Sequence, residues 1–563
     1  MGEDGPKDSS TIFIPSGAES VTRAINGPGF RNEKTFKVLL SIAFLLFLGT
    51  GVVIYPLVVP LNATLGLVSV LPLAYWVGLV FLCASVAFLF LHRPKNDGPY
   101  LVTLGVLAFS FIFPVLLEPN PRFIDSYWPL GVIRALLLPR HSLDVGSIGT
   151  FESLPAYGLL ASSLTLLSGA NLIEIASFFP AFWGLAFAIF PYAIAKRFGL
   201  PPQASFTASA LALSAFWFPQ TYFQPRVIAL LLSVFSLMLI PPTKPKVQYG
   251  LLALVSVALC LTETTTDIAA FAIPWILVTI ARYGASSRTL RTAAIVAGPA
   301  VAWPLFTGIS SILPSFYSFF LNGLSGQTTR ALVAVAVPTT LQRTIVAGFR
   351  YYYVAGLAML ALVAAVFVLR RRGTDTSQRN IRVLLLWLVG SNVFAWYNYG
   401  GTPFYLLSAS FSVVPISLMT VNVLTWNRTR TVVCVSLLIL FIVPHMFATY
   451  STESTDQIRS VELDMASFYA THASPSLPYY TQVPQLVFYY NPVLSFKGEA
   501  VSFNPDSAID FGSLSVILLD AQSHSALVYA LGADPVTNWV SGHPNSYNRV
   551  YANGQDSVLS RLG

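Results

Sequence analysis

Charge is what this chain has least of. Only 10% of its 563 residues are Asp, Glu, Lys or Arg, against roughly 25% in an ordinary soluble domain. Cysteine is also scarce. Cys83, Cys260 and Cys434 stand alone in apolar runs, which excludes a disulfide framework and any cysteine-based metal spacing and reads them as small buried hydrophobes. No P-loop, HExxH, GxSxG or CxxC pattern occurs in a supporting context, so an ATPase, a zinc protease and a serine hydrolase lack support.

What fills the chain instead is apolar sequence. Hydrophobic residues make up 55% of it, and mean hydropathy is +0.66. Runs of about 20 apolar residues recur, each long enough to cross a bilayer as a helix. The expected fold is therefore an all-α polytopic membrane protein. Expected spans are 37–58, 68–91, 99–117, 172–195, 203–219, 225–241, 248–263, 267–281, 292–313, 352–369, 382–397, 402–424 and 431–449, about thirteen in all. Residues 1–36, polar and rich in Gly and Ser, read as a disordered cytoplasmic tail followed by an uncleaved first span.

The net charge of +8 conceals two opposite parts. Residues 450–563 hold ten acids and four bases, so the remainder is strongly basic. Basic clusters occur in the N-terminal tail and at Arg93/Lys95, Lys196/Arg197, Lys244/Lys246, Arg282/Arg288/Arg291, Arg370–Arg382 and Arg428/Arg430, alternating with sparsely charged loops. Placing these clusters in the cytoplasm puts 21 of the 28 basic residues before position 450 on one side, as the positive-inside rule requires. Nucleic acid has no place in this account. The rule sets the N-terminus inside and the C-terminal region outside a plasma membrane crossed many times.

That orientation leaves room for only one span between the outer segment 118–150 and the inner pair Lys196/Arg197. LPAYGLLASSLTLLSG (154–169) is therefore expected to be partial, interfacial or re-entrant. The outer face then comprises the loop 118–170, the turn 218–226, the loop 314–350 and a tail from 450 to 563. The tail reads as a small α/β or β-rich domain in which LSVILLD (514–520) is a buried strand. Asn62-Ala-Thr falls outside as a glycosylation acceptor, whereas Asn427-Arg-Thr falls inside and reads as chance.

The outer ionisable groups are the candidates for chemistry. Asp125 follows a span by about eight residues and lies between Phe123 and Tyr127/Trp128, at headgroup depth. It is either a solvated loop acid paired with Arg122 or Arg134, or a carboxylate at the mouth of a cavity. In the second case it would deprotonate an acceptor hydroxyl or help hold a divalent cation, Mg or Mn. Arg134, Arg140 and His141 lie in and just after an amphipathic stretch, as phosphate contacts or as residues that snorkel to lipid headgroups. Glu152 is either an acid near a helix start or a second carboxylate facing the same cavity. Arg226 begins a span on the outer side. Glu263, with Asp267, marks an outer turn, either lining a polar cavity or forming a hairpin tip. Arg343 and Arg350 precede Tyr351–Tyr353, as ligand contacts or as an interfacial anchor. WYNYGG (396–401) is a further outer turn.

These features together resemble the GT-C superfamily of membrane glycosyltransferases. An outer Asp follows a span, then an amphipathic segment, then Phe151-x-x-x-Pro155 before an apolar run ending in glycine. FESLPAYGLLASSLTLLSGANLIEIASFFPAFWGLAFAIFPYAIAKRFG (151–199) resembles the early spans of protein mannosyltransferase-like and archaeal multispan glycosyltransferase-like proteins. NRVYANGQDSVLS (548–560) is similar to the close of such archaeal proteins. The resemblance implies a polyprenyl- or dolichyl-phosphate sugar donor and a protein, lipid or glycan acceptor. It makes Asp125 the base or metal helper, and Arg134 and Arg226 the holders of the lipid phosphate. The chain departs from the pattern in three ways. A second acid does not follow Asp125, Pro129 stands where a His is often found, and two additional spans precede the loop. The competing readings are a lipid-linked polysaccharide polymerase or ligase, a transporter or flippase, and a non-catalytic subunit whose tail binds a cell-surface partner.

Overall fold

The structure is a computed structural model. It describes residues 33–123 except 61, 62 and 64, then 126–137, 155–215, 223–240, 245–263, 267–303, 341–370, 376–393, 398–399, 402–423, 428–450, 457–472, 479–481, 484–490, 500–501, 514, 516–520, 534–544, 546–553 and 556–561. The Asn62 and Asn427 motifs fall at least partly outside these residues.

Helices dominate. In chain order they are α1 (Glu33–Ile54), α2 (Leu73–His92), α3 (Gly98–Leu116), α4 (Tyr127–Leu137), α5 (Pro155–Ser168), α6 (Leu172–Arg197), α7 (Pro202–Ala215), α8 (Pro225–Ser236) and α9 (Pro245–Thr262). A π-turn at Asp267–Ala272 leads into α10 (Ile273–Tyr283), and residues 287–303 form α11. Then come α12 (Leu341–Arg370), α13 (Thr376–Ser391), α14 (Phe404–Val423) and α15 (Arg428–Tyr450). Each expected span overlaps a helix. Among the described residues six helices are long and apolar enough to cross a membrane: 33–54, 73–92, 98–116, 172–197, 344–370 and 432–450. α5 has 14 residues, short of the roughly 20 that a bilayer requires.

Burial patterns show how these helices are used. In α1 only Phe36, Leu40, Ala43, Phe47, Thr50 and Gly51 are buried, a stripe at helical spacing. Val38, Leu45, Val52 and Val53 are exposed, as on a helix whose outer face meets lipid. α7 is the opposite case, buried at every position from Gln203 to Ala215. Small residues let it lie at the centre of the bundle. Its hydroxyls are satisfied within the helix, as in Thr207 to the Gln203 carbonyl at 2.9 Å, or across it, as in Ser209 to the Ala188 carbonyl of α6.

Glycine sets the closest approaches. A Cβ at Gly390 in α13 would lie 2.8 Å from Pro274 Cα and 2.9 Å from Pro274 N in α10, whereas one at Gly105 in α3 meets nothing within 4 Å. A backbone atom cannot rotate away as a side chain can. Gly390→Ala is expected to destabilise the protein by about 1–3 kcal/mol through overpacking, while Gly105→Ala is neutral or mildly stabilising through helix propensity. Thermal unfolding in detergent checks this, and equal melting temperatures for the two variants would contradict the packing account.

The outer loop expected over 314–350 ends earlier than the charge pattern implied. α12 begins at Leu341, so Arg343 and Arg350 stand on its first turns. Asn398–Tyr399 of WYNYGG form β1, which pairs antiparallel with β2 (Thr402–Pro403) just after the motif.

Beyond α15 the chain adds α16 (Ser460–His472), α17 (Pro484–Tyr490), α18 (Pro535–Gly542), and strands β3 (Tyr479–Tyr480), β4 (Ala500–Val501), β5 (Val516–Leu519), β6 (Tyr547–Ala552) and β7 (Ser557–Arg561). The sheet order is β4-β3-β5-β7-β6, parallel at β3 and antiparallel from β5 to β6. Strand alternation splits its residues between two cores. Val516, Leu518 and Val558 join the large core of the helical bundle. Ile517, Leu559, Tyr480 and Leu514 face a small separate core under α18.

Candidate active site

The helix ends sort onto two sides. Leu57 N–H, after α1, donates to the Leu117 carbonyl, after α3, at 2.8 Å. Arg122 Nη2 donates to the Thr449 carbonyl at the end of α15 at 2.6 Å, and Arg350 Nε at the start of α12 donates to the neighbouring Ala448 carbonyl at 3.3 Å. The ends of α1, α3 and α15 therefore gather on one side with the first turns of α12. At the opposite side, Lys196 at the end of α6 lies 3.2 Å from Asp97, which precedes α3.

On the first side is a small cleft of about 10 Å³, lined by Asn120, Arg122, Ser126, Ser177, Pro180 and Phe223 among others. One wall is the segment after α3; the others are the first half of α6 and Phe223, just before α8. The segment is held at several points. Asn120 Nδ2 donates to the Ile458 carbonyl at 3.1 Å. The Arg122 guanidinium, 4% exposed, lies 4.4 Å from the Phe123 ring centroid and 4.6 Å from that of Tyr450. Tyr450 in turn donates to the Phe111 carbonyl. Ser126 closes a turn: its N–H donates to the Phe123 carbonyl at 3.0 Å and its hydroxyl to the Arg122 carbonyl at 2.8 Å. Phe123 has φ +64°, a left-handed conformation that is uncommon for an aromatic residue and held here by these contacts.

The sequence candidates are distributed unevenly. Asp125, Arg140, His141 and Glu152 lie outside the described residues, as does the Arg343 side chain. Arg226 stands in the first turn of α8, three residues from cleft-lining Phe223, and is half-buried. Glu263 is buried just after α9. Arg134 faces the chain's last part: its Nη1 donates to the Tyr489 carbonyl at 3.3 Å, and its guanidinium sits 5.1 and 5.4 Å from the Tyr489 and Tyr490 rings. Arg350 is used on α15 as described. Among the described residues no three His, Cys, Asp or Glu side chains gather as a metal site.

Sequence reasoning missed a second polar group beneath α4. Glu462 is fully buried, accepting from the Arg459 backbone N–H at 2.6 Å and from Arg459 Nη1 at 3.1 Å. It sits in the first turn of α16, where an acid that reaches back to the cap N–H stabilises the helix start. Burial pushes its carboxyl up to about 8, Asp520 and Asp556 push the same way, and Arg459 opposes them through its N–H and its charge. The Tyr127 hydroxyl is raised above its ordinary range, first by burial and then by Tyr490, Tyr489, Glu462 and Glu118. α4 is thus the roof between the cleft segment and α16/α17. The signal available in the sequence was the Arg459/Glu462 spacing, one helical turn apart beside a very apolar bundle.

No protein-family model matches the chain, and no curated protein matches it. Among solved structures it is similar to the Archaeoglobus fulgidus oligosaccharyltransferase tethered with an acceptor peptide, at 9% identity over 83% of this chain and 74% of that one, with a TM-score of 0.47. It is also similar to ArnT from Cupriavidus metallidurans bound to undecaprenyl phosphate, at 12% identity over 87% and 99%, TM-score 0.45. The apo state of ArnT gives 14% identity over 83% and 98%, TM-score 0.41. All three scores fall below 0.5 and assign no role to any residue of this chain.

Proposed function

We propose that the chain is a GT-C-type membrane glycosyltransferase. It moves a sugar from a polyprenyl- or dolichyl-phosphate carrier to an acceptor at the outer face of a plasma membrane. In this reading thirteen helices cross, the N-terminus is cytoplasmic, and residues 450–563 are extracytoplasmic. The observation that carries it is the cleft beside Arg122: a buried guanidinium and polar side chains at the ends of apolar helices, on the segment that contains Asp125. A lipid-phosphate donor stays in the bilayer while its sugar must reach water, and such a cleft serves both ends.

Asp125 takes the proton of the acceptor hydroxyl as its oxygen attacks the anomeric carbon. The bond from that carbon to the phosphate oxygen breaks, and the phosphate leaves with its negative charge. Arg226 binds the phosphate, for which a planar guanidinium is suited. Arg134 acts by holding α17 against α4. Glu152 is a second acid of the same cavity, and the sheet region presents the acceptor. The energy resides in the donor linkage, so no nucleotide is required.

The test supplies a sugar-labelled polyprenyl phosphate in vesicles. Chain-dependent movement of label off the lipid is expected, whereas a flippase or a structural subunit leaves it attached. Arg226→Ala is expected to raise the donor KM by about ten- to a hundredfold, the loss of one charge-assisted contact, with a smaller change in kcat. An unchanged KM removes Arg226 from the phosphate site.

A further inference from the structure

The side opposite the cleft holds a second constellation that this reaction does not use. Four helix ends meet there. α2 finishes at His92 and Arg93, and α3 starts after Asp97. α6 finishes with Lys196 and Arg197, and α7 starts at Pro202 and Gln203. The Asp97 carboxylate is already engaged, by Lys196 at 3.2 Å and by the Tyr192 hydroxyl at 2.5 Å. Arg93, Lys95 and Arg197 add three further bases to the same helix ends and loop.

Two buried polar groups in this place have no hydrogen-bond partner: the Tyr100 hydroxyl and Gln203 Nε2. Tyr100 is fully buried and Gln203 is 8% exposed. Both lie where α3 packs on α7. The Tyr100 ring packs on Phe206 with centroids 5.6 Å apart, and Gln203 lies one turn before Phe206 on α7. The Tyr100 hydroxyl is within electrostatic reach of both Arg93 and Asp97. Buried polar groups are nearly always paired, and two orphans beside one cationic cluster mark a missing partner. Both can donate, and the starts of α3 and α7 add backbone N–H groups and positive dipole ends. An anion answers both donors and the surrounding positive charge.

We infer that the ends of α2, α3, α6 and α7 form a binding site for an anionic phosphate group, presented by a lipid headgroup. Tyr100 and Gln203 donate to the phosphate oxygens, while Arg93 supplies charge. A lipid is favoured over a free anion by the neighbouring surface. Leu91 at the end of α2, and Leu101 and Val102 at the start of α3, are exposed apolar residues, so acyl chains can lie along the same helices whose ends hold the phosphate. Basic pockets between helices on one leaflet bind anionic headgroups in this way.

The test uses the full chain in detergent with three additions: phosphatidylglycerol, phosphatidylcholine and inorganic phosphate. Phosphatidylglycerol is expected to raise the melting temperature well beyond phosphatidylcholine at equal concentration, with inorganic phosphate giving little. Tyr100→Phe is expected to melt no lower than wild type in phosphatidylcholine, because it removes an unpaired hydroxyl. It should need about tenfold more phosphatidylglycerol for half of the increment. Arg93→Gln should weaken the response in the same direction. An undiminished response in both variants overturns the site. A full shift with inorganic phosphate alone overturns the lipid assignment.

Discussion

Asp125→Asn is expected to lower sugar transfer by about 10²- to 10⁴-fold, the usual contribution of a positioned general base. The substitution keeps shape and hydrogen-bonding size but cannot accept the acceptor's proton at neutral pH. Donor binding should stay within a few-fold, because the phosphate contacts lie elsewhere, so the loss falls on kcat. Residues on both sides of position 125 are fixed: Arg122 to the end of α15, and Ser126 back to Arg122 and Phe123. Glu152→Gln is the comparison, with a smaller loss. Turnover by Asp125→Asn near the wild-type rate would remove Asp125 as the base.

Glu462→Gln is expected to flatten the pH dependence of stability. The Glu462 carboxyl is raised to about 8 from an ordinary value of 4.5. Its folded state therefore holds the proton more tightly than the unfolded chain does. Such an acid contributes its full stability below about pH 4.5 and loses it as pH rises through the interval up to about 8. The span of that loss is at most about 5 kcal/mol, reduced by whatever solvation the group gains as the site relaxes. Glutamine imitates the protonated form. Wild type and variant should melt together near pH 5, and the variant should melt higher near pH 9. Parallel melting curves across pH 5–9 would show that Glu462 does not carry the dependence.

The helices were legible because burial in lipid demands long apolar runs, and those runs survive any detail of packing. The short α5 was legible for a related reason: an opening proline and a closing glycine bound its apolar run. Val516–Leu519 was legible as a continuous apolar run, and it is the central strand. The site was less so. Arg122 makes a hydrogen bond to a carbonyl 327 positions away. The Arg134 guanidinium meets Tyr489 and Tyr490, some 355 positions on. Neither contact is written in the neighbouring residues. Local sequence shows which groups are charged, while the partner that neutralises or orients them arrives from the other end of the chain.

The same separation governs how the cleft side is put together. The Gln457 side chain acts as a surrogate peptide unit: its Oε1 accepts from Val59 N–H at 2.8 Å and its Nε2 donates to the Leu57 carbonyl at 2.8 Å. Arg459 adds a bond to the Val59 carbonyl at 3.4 Å. The two stretches it joins are about 400 positions apart. A ribosome finishes the first membrane hairpin long before it makes Gln457, so that rim waits with its backbone groups facing water for most of synthesis. Premature termination between Tyr450 and Gln457 leaves the helices of the bundle complete and this rim open.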